Sequence, residues 1–175
     1  AVASHPESEP ARMKLAAALL LVGTPGEALE QYEWMAERKP DSAAVWLGAA
    51  RGYRLSGNHE AAHESLTRLL HNDPGHAEGM WERGQLELDS GRAVAAEPWL
   101  EKAARLLPYD RRVQYSLYRC FLMQRKEPDA ATVQKRMERL DADIRRLDKV
   151  RNEVMSRPED ADLRCEAGIL FLRNG

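Results

Sequence analysis

Apolar residues recur along this chain at three- and four-residue spacing, the mark of one helix face turned inward. Leu15, Leu19 and Val22 form one such set, Leu29, Tyr32 and Met35 the next, and Leu66, Leu69 and Leu70 a later one. Polar residues fill the gaps between them, and no stretch alternates as a strand would. The helical sets are punctuated on a fixed beat. Gly23, Gly57 and Gly91 stand 34 residues apart; Ala28, Ala62, Ala96 and Ala130 keep the same step, as do Pro40, Pro74 and Pro108. Three columns sharing one period predict pairs of helices repeated along the chain.

Each column has a local cause. The glycines fall where a first helix must stop, because Gly accepts the left-handed backbone of a helix C-terminus. The alanines fall inside second helices, where a small side chain lets two helices approach. The prolines close the second helices, since Pro cannot donate to the preceding turn. N-cap candidates follow them: Asp41 or Ser42, and Asp110.

These positions resemble the tetratricopeptide repeat, W-x2-L-G-x2-Y, then A-x3-F, then P. The second repeat matches best, with Trp46, Ala50, Tyr53, Gly57, Ala62, Leu66 and Pro74. The first offers Ala16, Leu19, Gly23, Ala28, Tyr32 and Pro40, and the third Gly84, Gly91, Ala96, Leu100 and Pro108. In the fourth, Tyr118 replaces the small residue and Arg125 the turn glycine. The resemblance, of a bacterial type, implies an all-α, right-handed α-solenoid of antiparallel helix pairs. About four repeats and one terminal helix are expected. Residues 1–8 would be a flexible segment, followed by repeats at 9–42, 43–76, 77–110 and 111–158, and a truncated fifth at 159–175. The missing initiator Met and the stop at Gly175 suggest a fragment of a longer repeat protein.

The beat breaks once. The next helix-closing proline, Pro158, comes 50 residues after Pro108, or 16 beyond one period. The surplus falls in the second helix of the fourth repeat, expected from near Pro128 to about Arg157. Its apolar positions Val133, Met137, Leu140, Ile144 and Leu147 step like a coiled-coil seam. Two readings stay open: a long helix covered by its own neighbours, or an oligomer surface formed with the apolar C-terminal stub that includes Phe171. Pro98, inside the second helix of the third repeat, predicts a bend or a helix that becomes regular only there.

Charge narrows the function classes. Charged residues make up 31% of the chain, yet the net charge is only −2. That balance argues against nucleic-acid binding and bulk membrane attachment, and no apolar run reaches the roughly 20 residues a membrane span needs.

Little in the chain promises catalysis. His59-Glu60-Ala61-Ala62-His63 spells the H-E-x-x-H of zinc hydrolases, with Glu82 as a conceivable third ligand. Ala62 already has a packing role there, however, so zinc hydrolysis ranks as a remote third reading. Cys120 and Cys165 lack metal spacing and read as buried free thiols, and His71 and His76 as solvated turn residues. No cofactor, bound metal or enzymatic activity is expected.

In the family resembled, first helices line a concave surface that holds peptides. Here they carry Arg51 and Arg54, then Trp81 and Gln85, then Arg112, Tyr115 and Arg119. The resemblance thus implies a protein- or peptide-binding groove centred on Trp81, for partners with acidic and apolar or aromatic anchors. Trp34, Trp46 and Trp99 are expected in the core. The Lys and Asn of the carboxylate-clamping subtype are absent: the matching places hold Met13, Ala17, Gly48, Glu78 and Glu82. The alternative is a structural module that forms a homodimer through the long helix, 128–157, and the stub.

Overall fold

The computed structural model describes residues 9–174, so the expectations for 1–8 and for Gly175 lie outside the described residues. The chain divides into two compact units, one up to Lys102 and one from Ala103 onward.

The first unit holds α1 (Glu9–Val22), α2 (Pro25–Arg38), α3 (Ala43–Leu55), α4 (His59–Asn72), α5 (Ala77–Asp89) and most of α6 (Ala93–Leu106). Helices α1 to α5 pack each against the next, and the first helices also touch one another, α1 with α3 and α3 with α5. Ala16, Ala28, Tyr32, Met35, Val45 and Ala49 make one core cluster; Ala50, Ala62, Leu66 and Leu86 make another. Ala62 and Ala96 are fully buried, as their column requires. Close approach explains the small residues of the first helices as well. A Cβ added at Gly84 would stand 2.5 Å from Leu100 of α6, and one at Gly48 would collide with the Tyr32 ring.

Local chemistry sets the helix ends. Ser42, His76 and Asp110, one period apart, each cap the following first helix by accepting from backbone N–H groups, those of Val45, Gly79, and Arg112 and Val113. His76 is therefore a cap rather than a solvated turn residue, and only His71 of that pair is exposed. A neutral imidazole nitrogen has the lone pair a cap needs. Gly23, Gly57 and Gly91 take positive φ at the ends of α1, α3 and α5.

Helix α6 is already regular at Ala93, five residues before Pro98, so the late start is not what the chain adopts. The carbonyl that Pro98 leaves without a donor is that of Val94, in the first turn, where Val94 itself is exposed.

The second unit holds the end of α6, α7 (Arg111–Met123), α8 (Glu127–Ser156) and α9 (Ala161–Asn174). At 30 residues α8 is about 45 Å long. It serves two neighbours in succession. Arg111 of α7 pairs with Asp141 at 3.1 Å, while Arg146, one turn later, holds Glu166 of α9. The surplus residues thus give α9 its own half of α8 to pack on. Ala130, Val133, Leu140 and Val150 are buried along the helix.

Candidate functional site

In the first unit, α3 and α5 bring the expected arginines together with carboxylates. Arg51 donates through Nε to Glu82 at 2.5 Å and pairs with Glu78 at 3.1 Å. Arg54 donates to Glu82 and to Asp89, both at 3.3 Å. Glu82 is only 2% exposed. Both arginines are therefore engaged by the chain's own acids, and a ligand carboxylate would have to compete for them. The i, i+3 and i, i+4 spacing was visible in the sequence; the match between two helices was not. Gln85, on the same side of α5, keeps its Oε1 buried without a hydrogen-bond partner.

Trp81 is not the exposed anchor expected of it. It is 9% exposed and belongs to the core. Its counterpart one period earlier, Leu47, is buried as well, a signal the sequence held. The reverse correction applies to the other three tryptophans, which are half-buried and carry cations on their faces. Arg12 and Arg38 lie 4.2 and 3.8 Å from the Trp34 ring, Arg68 lies 4.9 Å from Trp46, and Arg83 and Lys102 lie over Trp99. A partly exposed indole face attracts such groups, and their aliphatic stems cover it.

The H-E-x-x-H segment opens α4, beside a cleft of about 550 Å³ that His59, Glu60, His63 and Arg92 help to line. His59 meets the Ser90 hydroxyl, and Nε2 of His63 faces the Arg83 guanidinium. Burial, with that guanidinium beside it, holds the His63 pKa below its ordinary value. Glu82, the conceivable third ligand, is taken by Arg51 and Arg54. Among the described residues, no three His, Cys, Asp or Glu side chains are grouped to hold a metal. Arg83 and Arg92 converge instead on buried Glu87, at 3.1 and 2.6 Å. Burial would raise that carboxyl's pKa, but the two arginines outweigh it and leave it lowered.

In the second unit, α7 buries Val113, Leu117 and Cys120 and turns Tyr115 outward, 51% exposed. Arg119 is half-buried on the same side, four residues on. Arg112 is exposed and bonded to Asp110 at 2.7 Å, which holds the Asp110 pKa down. Leu122 and Met123 are also exposed. They stand one period beyond Leu88 and Asp89 of α5, a correspondence that sequence reasoning passed over.

The proposed oligomer seam is largely spent inside the chain. Val133 and Leu140 are buried by the helices beside α8, and Met137 and Leu147 are half-covered. Ile144 and Phe171 remain exposed. The thiols divide: Cys120 is buried, where its Sγ accepts from Gln124, but Cys165 is exposed on α9. No helix among the described residues is long and apolar enough to cross a membrane.

Antiparallel helix pairs on a 34-residue period define a helical-repeat protein. Residues 47–111 match the family model described as the tetratricopeptide repeat. That segment is thus similar to the tetratricopeptide repeat, a fold that serves in general as a scaffold for protein interaction. Solved structures agree on the fold. Crystalline MamA shares 17% identity over 81% of this chain and 82% of its own, with a TM-score of 0.70. A thermophilic TPR protein of Thermus thermophilus shares 20% over 98% and 85%, with a TM-score of 0.66. The first TPR domain of human RPAP3 shares 13% over 71% and 98%, with a TM-score of 0.64. No curated protein matches the chain in sequence.

Proposed function

We propose that this chain is a non-catalytic scaffold whose second unit holds a partner protein on the outward face of α7. The observation that carries the reading is Tyr115, exposed between Arg112 and Arg119 at i±3 and i±4 spacing, while the opposite side of α7 is buried. An aromatic ring flanked by guanidinium groups is a composition of recognition surfaces. The rings and aliphatic groups supply burial, and the arginines supply orientation and salt sensitivity. The partner segment would carry a carboxylate and an apolar or aromatic anchor. Arg51 and Arg54 of the first unit fit that role less well, because Glu82 already neutralises them.

Capture of interacting proteins by the parent chain, Tyr115→Ala, Arg119→Glu and the control Lys135→Ala tests the reading. Loss of partners from the first two alone supports it, with Tyr115→Ala weakening binding by about 2 kcal/mol or more. Partners held equally by all four proteins would refute the α7 face.

A further inference from the structure

Residues of α2, α3 and α4 line a second cleft in the first unit, of about 470 Å³. Two aromatic rings of α3, Trp46 and Tyr53, form part of its wall, and Glu33, Glu37 and Glu64 bring carboxylates to it. The single guanidinium among its lining residues, that of Arg68, balances them only in part. Polar contacts hold the wall in place. The Trp46 indole N–H donates to Pro40 O at 2.5 Å, and the Tyr53 hydroxyl donates to Glu33 at 2.7 Å. Glu33 from α2 and Glu64 from α4 both act on the Tyr53 phenol, which they help to keep protonated. Rings and carboxylates are therefore set before any ligand arrives.

Arg68 shows which chemistry the cleft accepts. Its guanidinium lies 4.9 Å from the Trp46 ring and donates to Glu64 at 2.7 Å. Its side chain is still 55% exposed, so this pairing is weak and easily exchanged.

A comparison of repeats shows why there is room for more. Gln31, Ser65 and Trp99 stand one period apart on second helices. Gln31 accepts from Arg12 at 2.6 Å, and Trp99 carries Arg83 and Lys102 over its ring. Each of these long side chains thus meets a cation of its own repeat. Ser65 is too short for that and turns its hydroxyl back to Ala61 O of its own helix, at 2.8 Å. The space that Gln31 and Trp99 use in their repeats is left to the cleft.

We propose that this cleft binds an arginine from a basic segment of a partner protein, its guanidinium stacked on Trp46 and forked between Glu33 and Glu64. Arginine fits better than lysine, because its planar fork stacks on an indole and meets two carboxylates at once. Arg68 is the chain's own competitor for the place, and it would yield by turning its long stem outward. Glu37, exposed beside the cleft and 3.5 Å from Arg38, adds to the attraction for a basic segment. The inference rests on the first unit alone, so it and the α7 reading of the second unit can fail separately.

A capped Gly-Arg-Gly-Arg-Gly peptide, titrated into the 175-residue chain at low salt, tests it by the indole N–H resonances of the four tryptophans. The Trp46 resonance, identified by its loss in Trp46→Phe, should shift further than the other three, with a Kd of roughly 0.1–1 mM. Citrulline in place of both arginines should abolish the shift. Glu64→Gln should weaken binding about five-fold or more. Arg68→Ala should tighten it about three-fold or more, while Arg139→Ala, the same loss of charge on α8, should leave it unchanged. An unmoved Trp46 resonance at about 5 mM peptide overturns the proposal. So does equal binding of the citrulline peptide, full affinity in Glu64→Gln, or an Arg68→Ala protein that binds no tighter than Arg139→Ala.

Discussion

Arg125 holds the left-handed backbone conformation that Gly91 holds one period earlier, with φ of 58° against 73°. The hydrogen bonds agree too: Lys126 N–H reaches Phe121 O at 2.9 Å, as Arg92 N–H reaches Glu87 O at 2.8 Å. The repeat demands this turn whether or not a glycine occupies it, and the Arg125 Cβ bears the steric cost.

Replacing Arg125 should therefore stabilise the protein. Left-handed backbone costs a residue with a Cβ roughly 1–2 kcal/mol, while glycine loses some of that advantage through its freer unfolded chain. Arg125→Gly is expected to gain about 1 kcal/mol in a urea melt. A less stable variant would mean that the Arg125 side chain does something beyond the turn.

The alanine column makes the opposite demand. Ala62 is fully buried beside Leu66 and Ala50, so Ala62→Leu should overpack the α3–α4 contact and cost about 1–3 kcal/mol. Equal stability of parent and variant in denaturant would contradict this packing.

Glu82 should matter more to stability than either of its arginines. Glu82→Ala leaves two guanidinium groups facing a site built for a carboxylate. The arginines keep some solvent contact, so the cost is placed at about 2 kcal/mol rather than that of a fully buried broken pair. Arg51→Ala, which leaves Arg54 on Glu82, should cost less. The ordering of the two melting midpoints decides the matter.

Tyr53 offers a pH test. Burial, together with the Glu33 carboxylate that its hydroxyl donates to, pushes its pKa up to about 12. Its unfolded value is about 10. A group raised on folding contributes its full stabilisation below the unfolded value and loses it as pH climbs through the folded one. This contribution should therefore fade between about pH 10 and pH 12. In an absorbance titration of the phenolates, Tyr53→Phe should remove a step near the top of that range, and Glu33→Gln should move it down. A profile identical in all three proteins would refute the assignment.

The period, the turns and the caps at Ser42 and Asp110 were legible in the residues because each is settled within a few positions of itself, whereas His76 was not read as a cap. Gly57 needs only its own backbone to end α3, and Asp110 needs only the next N–H groups to begin α7. Even the displaced helix α8 could be placed to within a residue at either end, since Pro128 and Pro158 bracket it locally. The faces were harder to read. Trp81 looked like an exposed anchor and is core, while spacing left open whether Val133 and Leu140 were covered by neighbouring helices or formed a free seam, and they are covered. Periodicity tells which residues share a side of a helix but not what stands opposite that side.

By itself, then, the sequence determined that this is a helical-repeat protein, where its glycine turns fall and where α8 begins and ends, because those choices are made by short-range backbone chemistry. Only the tertiary structure decided that Glu82 claims Arg51 and Arg54, and that Tyr115 rather than Trp81 meets solvent. Each of those outcomes depends on the distance between side chains of different helices, which packing sets and spacing along the chain does not.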